Sequence, residues 1–220
     1  MSREKPFSEA CERNRAPILE VLRQTFAECK QVLEIGSGSG QHAVYFGAHL
    51  PHLQWQPSDV NDNHTGILAW VTEARLPNVL PPIALDVNGA WPRQQYDAVF
   101  SANTVHIISW PEVERMFAGI ARVLARNGVL AIYGPFNYNG LYSSDSNARF
   151  DLWLKARDAA SGIRGFENVD ALARSHGFLL EQDFAMPANN RTLVWRAIEC
   201  RPELTYSSNR RVPPSTNQPQ

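Results

Sequence analysis

Val32-Leu33-Glu34-Ile35-Gly36-Ser37-Gly38-Ser39-Gly40-Gln41-His42 joins a buried strand to a glycine-rich turn and the turn to a helix. Val32, Leu33 and Ile35 form the short apolar run that fills a parallel strand covered on both faces. Gly36, Gly38 and Gly40 follow at once. Glycine accepts positive φ and lets backbone come close to a ligand. The helix opening near Gln41 then directs unpaired N–H groups at whatever lies over the turn, so the stretch reads as a cofactor cradle.

The glycine spacing separates two cofactors. Dinucleotide turns favour G-x-G-x-x-G, whose last glycine lets the helix pack closely on the strand. Here the third glycine stands one residue early, at Gly40, and Gln41 fills the dinucleotide position. The form Glu-x-Gly-x-Gly-x-Gly resembles motif I of class I S-adenosylmethionine (SAM)-dependent methyltransferases, which implies that the acid, Glu34, lies near the cofactor's amino group. An ordinary Gly-rich strand-to-helix turn is the bland alternative.

Outward from the turn, strands and helices alternate. Ile18, Leu19, Leu22 and Phe26 repeat at helical spacing behind Pro17, which suits a first turn, so a helix is expected before strand one at 31–35. The helix after the glycines carries Ala43, Val44, Phe46 and Leu50 and stops at Pro51. Further strands are predicted at 53–57, 79–85, 97–102 and 129–133, with helices at 67–75 and 111–125, the latter stopped by Asn127-Gly128. A loop rich in glycine and asparagine at 134–147 leads to helices around 150–157 and 168–176, the second closed by Gly177, and to strands at 178–185 and 192–198. Five strand-helix units argue for a doubly wound sheet. Pro187-Ala188-Asn189-Asn190 between the last two strands reads as a hairpin turn, which makes one strand antiparallel. The expected class is an α/β, Rossmann-like, seven-stranded, mostly parallel sheet with helices on both faces and a C-terminal antiparallel hairpin.

Composition narrows the function. A length of 220 residues suits a single domain, read here as 1–200 with an N-terminal helical cap, and 201–220, rich in Pro, Ser, Asn and Gln, reads as a flexible tail. A formal charge of −1 gives no basic footprint for a nucleic-acid partner. Cys11, Cys29 and Cys200 are too scattered for a zinc site or a disulfide framework, the six histidines show no ligand pattern, and no metal is expected. The chain shows no signal-peptide core or membrane span, so a cytoplasmic protein without a membrane partner is expected; oligomeric state is not readable.

Ligands of open α/β sheets lie beyond the carboxyl ends of the strands. Asp59 ends strand two, where an acid can accept from ribose hydroxyls or merely cap a helix. Asp86-Val87 ends strand three, suited to an adenine amino group beside an apolar side chain, or to a turn. Strand four ends in Ser101-Ala102-Asn103-Thr104-Val105-His106, where cofactor and substrate meet. His106 is the histidine expected at these ends, as a general base or as a residue that fixes the loop. Beyond strand five, Tyr133, Phe136, Asn137, Tyr138 and Tyr142 offer aromatic faces and an amide in a loop able to act as a lid. Arg13-Asn14-Arg15, placed just ahead of the first helix, either folds over the site or is solvated.

Several longer stretches extend the resemblance: 10–19, 33–42, Trp55-Gln56-Pro57-Ser58-Asp59, Tyr133-Gly134-Pro135-Phe136 and Met186-Pro187-Ala188-Asn189-Asn190. In these the chain is similar to a small family of class I methyltransferase-like proteins, the one that includes methyltransferase-like protein 26. The resemblance spans roughly residues 8–199, and the Gln-His after the glycines and the Pro-Ala-Asn-Asn turn are its most specific parts. It implies a SAM-binding Rossmann-like fold with Glu34, Gly36, Ser37, Gly38, Gly40, His42, Asp59, Asp86, Val87 and Asn103 at the cofactor. It names no substrate. Ser58-Asp59-Val60-Asn61 departs from the usual pattern after strand two, and its extra polar residues bear on which side chain meets the ribose.

These readings converge on methyl transfer from SAM, leaving S-adenosyl-L-homocysteine (SAH), to an oxygen, less readily a nitrogen, of a small molecule. His106 and Tyr133 are the candidate catalytic residues, and Arg13, Asn14, Phe136, Asn137 and Tyr142 the substrate contacts. A SAM-binding partner without catalysis is the rival reading, and an NAD(P)-dependent oxidoreductase a weaker one.

Overall fold

A computed structural model describes residues 5–198; the tail expected at 201–220 lies outside them. Its centre is a seven-stranded sheet in the order β3-β2-β1-β4-β5-β9-β8. The strands are β1 (Gln31–Ile35), β2 (Gln54–Asp59), β3 (Ile83–Ala84), β4 (Tyr96–Ala102), β5 (Leu124–Gly134), β8 (Phe178–Met186) and β9 (Asn190–Ala197). Two short strands, β6 (Phe136–Asn137) and β7 (Arg164–Gly165), pair apart from it. β1 to β5 run parallel, and β9 enters antiparallel to both β5 and β8. This is the Rossmann-like sheet with a C-terminal antiparallel pair expected from the apolar runs.

Helices α1 (Glu9–Thr25), α2 (Gln41–His49), α3 (Asn61–Ala74), α4 (Trp110–Val123), α5 (Asp145–Arg157) and α6 (Phe166–Ser175) surround the sheet. Strand alternation gives it two apolar faces. One face carries Leu33, Val99, Leu130 and Ile132 against Val113, Phe117 and Ile120 of α4 and Val169 of α6. The other carries Val32, Trp55, Phe100 and Ala131 against Ile18, Leu22 and Phe26 of the α1 region and Phe46 of α2. Each of the larger of these side chains contributes about 1.5–3 kcal/mol on burial. Among the described residues no helix is long and apolar enough to cross a membrane.

Three expectations need correction. Pro17 does not open α1: the helix starts a full two turns earlier, because the Ser8 side chain accepts from the Cys11 N–H, and Pro17 sits in its interior. Arg13, Asn14 and Arg15 therefore lie within the helix, not ahead of it. The third strand shrinks from the expected 79–85 to Ile83–Ala84 plus a bridge between Val79 and Trp55, since Pro81 and Pro82 have no N–H for a ladder. The stretch expected as loop at 134–147 contains β6 and the start of α5, whose N-cap Ser144 accepts from the Asn147 N–H.

Candidate functional site

β1 pairs with β2 on one side and with β4 on the other, so the chain reverses direction across the sheet at the end of β1. That crevice is where open α/β sheets bind ligands. The turn that fills it has Gly36, Gly38 and Gly40 at φ +73°, +57° and +88°, all left-handed. The Gly36 and Ser37 N–H groups donate to the Ser58 carbonyl at 3.0 and 3.1 Å, tying the turn to the end of β2. A Cβ on Gly36 would meet Thr104 Oγ1 at 2.5 Å, and one on Gly40 would meet the Ile67 Cα at 2.9 Å. A Cβ on Gly38 would meet nothing within 4 Å. Protein packing thus requires the first and third glycines, whereas the middle one faces open space.

Asp59 organises this turn from the neighbouring strand. It is 8 % exposed, and its Oδ2 accepts from the Gly38 N–H at 2.7 Å. Its Oδ1 accepts from the Val60 N–H at 2.8 Å and from Asn63 Nδ2 at 2.9 Å. A carboxylate oxygen has two lone pairs, so Oδ2 retains capacity for one ribose hydroxyl. Asp86 is exposed and caps its own turn, accepting from the Asn88 N–H at 2.8 Å, with Val87 half-buried beside it. A cleft of about 430 Å³ opens beside Gly38 toward the start of α3, lined also by Ser39, Asp62, Asn63 and the N-terminal Lys5 and Pro6.

Beneath the turn lies a polar cluster that local sequence does not reveal. Glu34 is 1 % exposed and accepts from Trp55 Nε1 at 3.0 Å. Burial pushes its carboxyl up to about 7, against the lowering effect of bonds from Trp55 and Ser37. His42 Nε2 lies 2.7 Å from Asn14 Oδ1, and its Nδ1 faces Cys11 Sγ at 3.9 Å. The amide oxygen can only accept, so His42 carries its proton on Nε2 and leaves Nδ1 as the acceptor. Asn14 also bonds to the Tyr133 hydroxyl. Gln41 completes the joint: its Oε1 accepts from the Ser8 N–H at 2.5 Å, and its Nε2 donates to Glu12 Oε1 at 3.1 Å. Gln41 and His42 thus fasten α1 to the cofactor turn. Arg13, by contrast, is 71 % exposed at its side chain and pairs with Glu9.

The titrations beneath the turn have opposite signs. Burial lowers His42 to about 4, so stability is lost as pH falls from about 6.5 toward 4. Glu34 is raised, so its neutral form is favoured in the fold, and stability is lost as pH rises from 4.5 to about 7, by on the order of 3 kcal/mol. Glu34→Gln removes the second trend alone. Urea unfolding at pH 5 and pH 7 should therefore show a steeper rise in stability with pH in the variant; equal slopes would remove Glu34 from the titration.

At the ends of β4 and β5, Asn103 holds φ +57° and its N–H donates to the Tyr133 carbonyl at 2.9 Å. His106 follows, 2 % exposed, edge-on to Phe150 at 5.6 Å between ring centroids. Its Nδ1 has no hydrogen-bond partner, and neither has Asn137 Oδ1 on β6. Burial lowers His106 to about 4, helped by the positive charge of Arg164. Arg164 is a residue the sequence reading missed. It donates from Nε to the Val105 carbonyl at 2.9 Å and from Nη2 to the Ile108 carbonyl, bracing the loop that carries His106. Phe136 is buried in the core beside this loop. Tyr142 is half exposed and donates to Asp151 Oδ2 at 2.6 Å.

Comparison with known proteins fits this geometry. Residues 5–197 match the family model described as "Protein of unknown function (DUF938)". Among solved structures, an O-methyltransferase family protein from Burkholderia thailandensis superposes with a TM-score of 0.76 at 15 % identity, over 87 % of this chain and 58 % of that one. The S-adenosylmethionine-dependent methyltransferase SibL gives 0.74 at 16 %, over 86 % and 56 %. PigF with SAH gives 0.71 at 15 %, over 86 % and 64 %. The chain thus spans less than two thirds of the length of these neighbours, and at such identities the likeness is one of fold. The chain belongs to the DUF938 family and has the Rossmann-like fold of these methyltransferases.

Proposed function

We propose that the chain is a SAM-dependent methyltransferase that methylates an oxygen, less readily a nitrogen, of a small molecule and leaves SAH. The observation that carries this reading is Gly38. It has a left-handed turn with open space at its Cβ, and its N–H is held by the carboxylate of Asp59 at the point where the strand order reverses. The fold neighbours support it, since SibL is described as SAM-dependent and PigF was solved with SAH. The likeness to the methyltransferase-like protein 26 family, a cytoplasmic location and a single domain at 1–200 are further parts of the same reading.

The residues fit the group. Gly36, Ser37, Gly38 and Gly40 supply backbone close to it, Asp59 accepts from its ribose, and Asp86 with Val87 meets its base. Asn103 bounds its methionine end, and Glu34 and His42 hold the turn from below. When bound, SAM supplies an electrophilic methyl group on a sulfonium centre. The protein must align the acceptor oxygen with that group and exclude water, and orientation alone can lower the barrier by several kcal/mol. His106 stays neutral near pH 7, and in the tautomer with its proton on Nε2, Nδ1 accepts a hydrogen bond from the acceptor hydroxyl. A base near 4 serves a weakly acidic hydroxyl, such as a phenol, better than an alcohol. Asn137 and the half-exposed Tyr142 line the approach with Arg13 at its rim, and the buried Asn14, Tyr133 and Phe136 support it from beneath.

Among the described residues three buried side-chain atoms lack partners, His106 Nδ1, Asn137 Oδ1 and Thr192 Oγ1. The first two, on the segments that follow β4 and β5, favour an enzyme over a binding module, because buried polar atoms without partners cost stability that a polar ligand restores. Thermal unfolding tests the cofactor. SAM at a hundredfold excess over its Kd should stabilise the protein by about 2.7 kcal/mol, which is about 5–10 °C for a chain of this size. NAD should leave the melting temperature unchanged. A shift with NAD and none with SAM would reject the reading.

A further inference from the structure

Gly134 at the end of β5 lies opposite Arg191 of β9, and directly opposed residues send their side chains to one face. On that face a Cβ at Gly134 would stand 3.3 Å from His106 Nδ1. His106 and Arg191 therefore flank the same residue, and no side chain at 134 separates them. Beside Arg191 the surface opens into a cleft of about 410 Å³, lined by Tyr138, Ser143, Met186, Asn189 and Asn190. That volume suits part of a small molecule.

The walls of this cleft are fixed and rich in donors. Arg191 donates from Nε to Asp183 Oδ1 at 2.7 Å and from Nη2 to the Asp183 carbonyl at 3.1 Å. Tyr138 donates to the other carboxylate oxygen at 2.8 Å. A guanidinium has five N–H donors; with a further bond to the Tyr138 hydroxyl, two remain for a ligand. Ala188 and Asn189 hold φ +56° and +57°, two consecutive left-handed residues that are not glycine. Such conformations cluster at ligand clamps. Asn147 Nδ2 pins the turn by donating to the Asn189 carbonyl at 3.1 Å. Asp183 offsets the charge of Arg191, which suits one added negative charge better than a phosphate dianion. The planar fork of donors matches a carboxylate.

We infer that this cleft binds a carboxylate at the far end of the methyl acceptor, which makes the substrate a hydroxy acid with its hydroxyl at His106 and its acid group at Arg191. The inference rests on the methyltransferase reading only for the hydroxyl end. The test uses the full chain, isotope-labelled and in the presence of SAH, titrated with phenolic carboxylic acids of increasing length and with their primary amides. The side-chain N–H resonances of Arg191, Asn189 and Asn190 should move, and the acids should bind at least about tenfold tighter than the amides, as expected for charge-assisted bonds. Asn189→Asp puts a like charge on an exposed rim without loss of a core contact, and should abolish the preference; Arg191→Lys should reduce it. Equal affinity of acids and amides, shifts confined to residues outside the cleft, or no binding at millimolar concentration would overturn the assignment. Calorimetry with SAH on the same samples separates the two ideas. Acid preference without SAH affinity keeps the cleft and rejects the methyltransferase, and SAH affinity without acid preference does the reverse.

Discussion

Gly38→Leu is expected to weaken SAM binding between about tenfold and a hundredfold, the effect of forcing a side chain into a filled contact. The ligand-free protein should lose only about 1–2 kcal/mol, the cost of a left-handed residue that is not glycine, or about 2–8 °C in melting temperature. The contrast arises because a Cβ at this position meets no protein atom, while those at Gly36 and Gly40 meet Thr104 and Ile67. Leucine at either of the outer positions should therefore damage the fold itself. Calorimetric titration with SAM beside a thermal melt separates the two effects. A Gly38→Leu protein that binds SAM like the parent would remove the turn from the cofactor site.

Asp59→Ala should cost about 3–5 kcal/mol of stability. It leaves the Gly38 and Val60 N–H groups and the Asn63 amide without the carboxylate that now accepts all three, in a largely buried setting. At temperatures where the variant remains folded, SAM affinity should also fall at least about tenfold, through the lost ribose acceptor. Urea unfolding gives the first quantity and calorimetry the second. Retained SAM affinity in a destabilised variant would reduce Asp59 to an organiser of the turn.

The cofactor half of the site was legible because it is local. One strand, three glycines and the acids that end the next two strands follow in order within about sixty residues, and each carries its chemistry in its own spacing. The hairpin was legible for the same reason. The start of α1 was missed although Ser8 and the acids Glu9 and Glu12 form an ordinary N-terminal pattern, because Pro17 offered a competing start. The shortening of β3 follows from Pro81-Pro82, whose missing N–H groups outweigh the apolar residues around them.

The acceptor half is assembled from distant segments. The loop at 105–108, strand β6, Arg164 and the β8–β9 turn are far apart in the sequence, so Arg164, Asp183 and Arg191 carry no local mark. The environment of His106 was equally hidden. Its position was readable, but its burial and the nearby Arg164 charge, which together hold it neutral, are properties of the fold.

Gln41 and His42 are joined to Ser8, Glu12 and Asn14 by buried or half-buried hydrogen bonds. Descent with modification must treat Glu12, Asn14, Gln41 and His42 as one inherited character, since Ser8 takes part through its backbone. A lineage that altered the first helix alone would strand an imidazole and an amide under the glycine turn, and one that altered Gln-His alone would strand Asn14. Recombination that exchanged helical caps between sheets of this shape would then fail at the joint, however well the sheets matched.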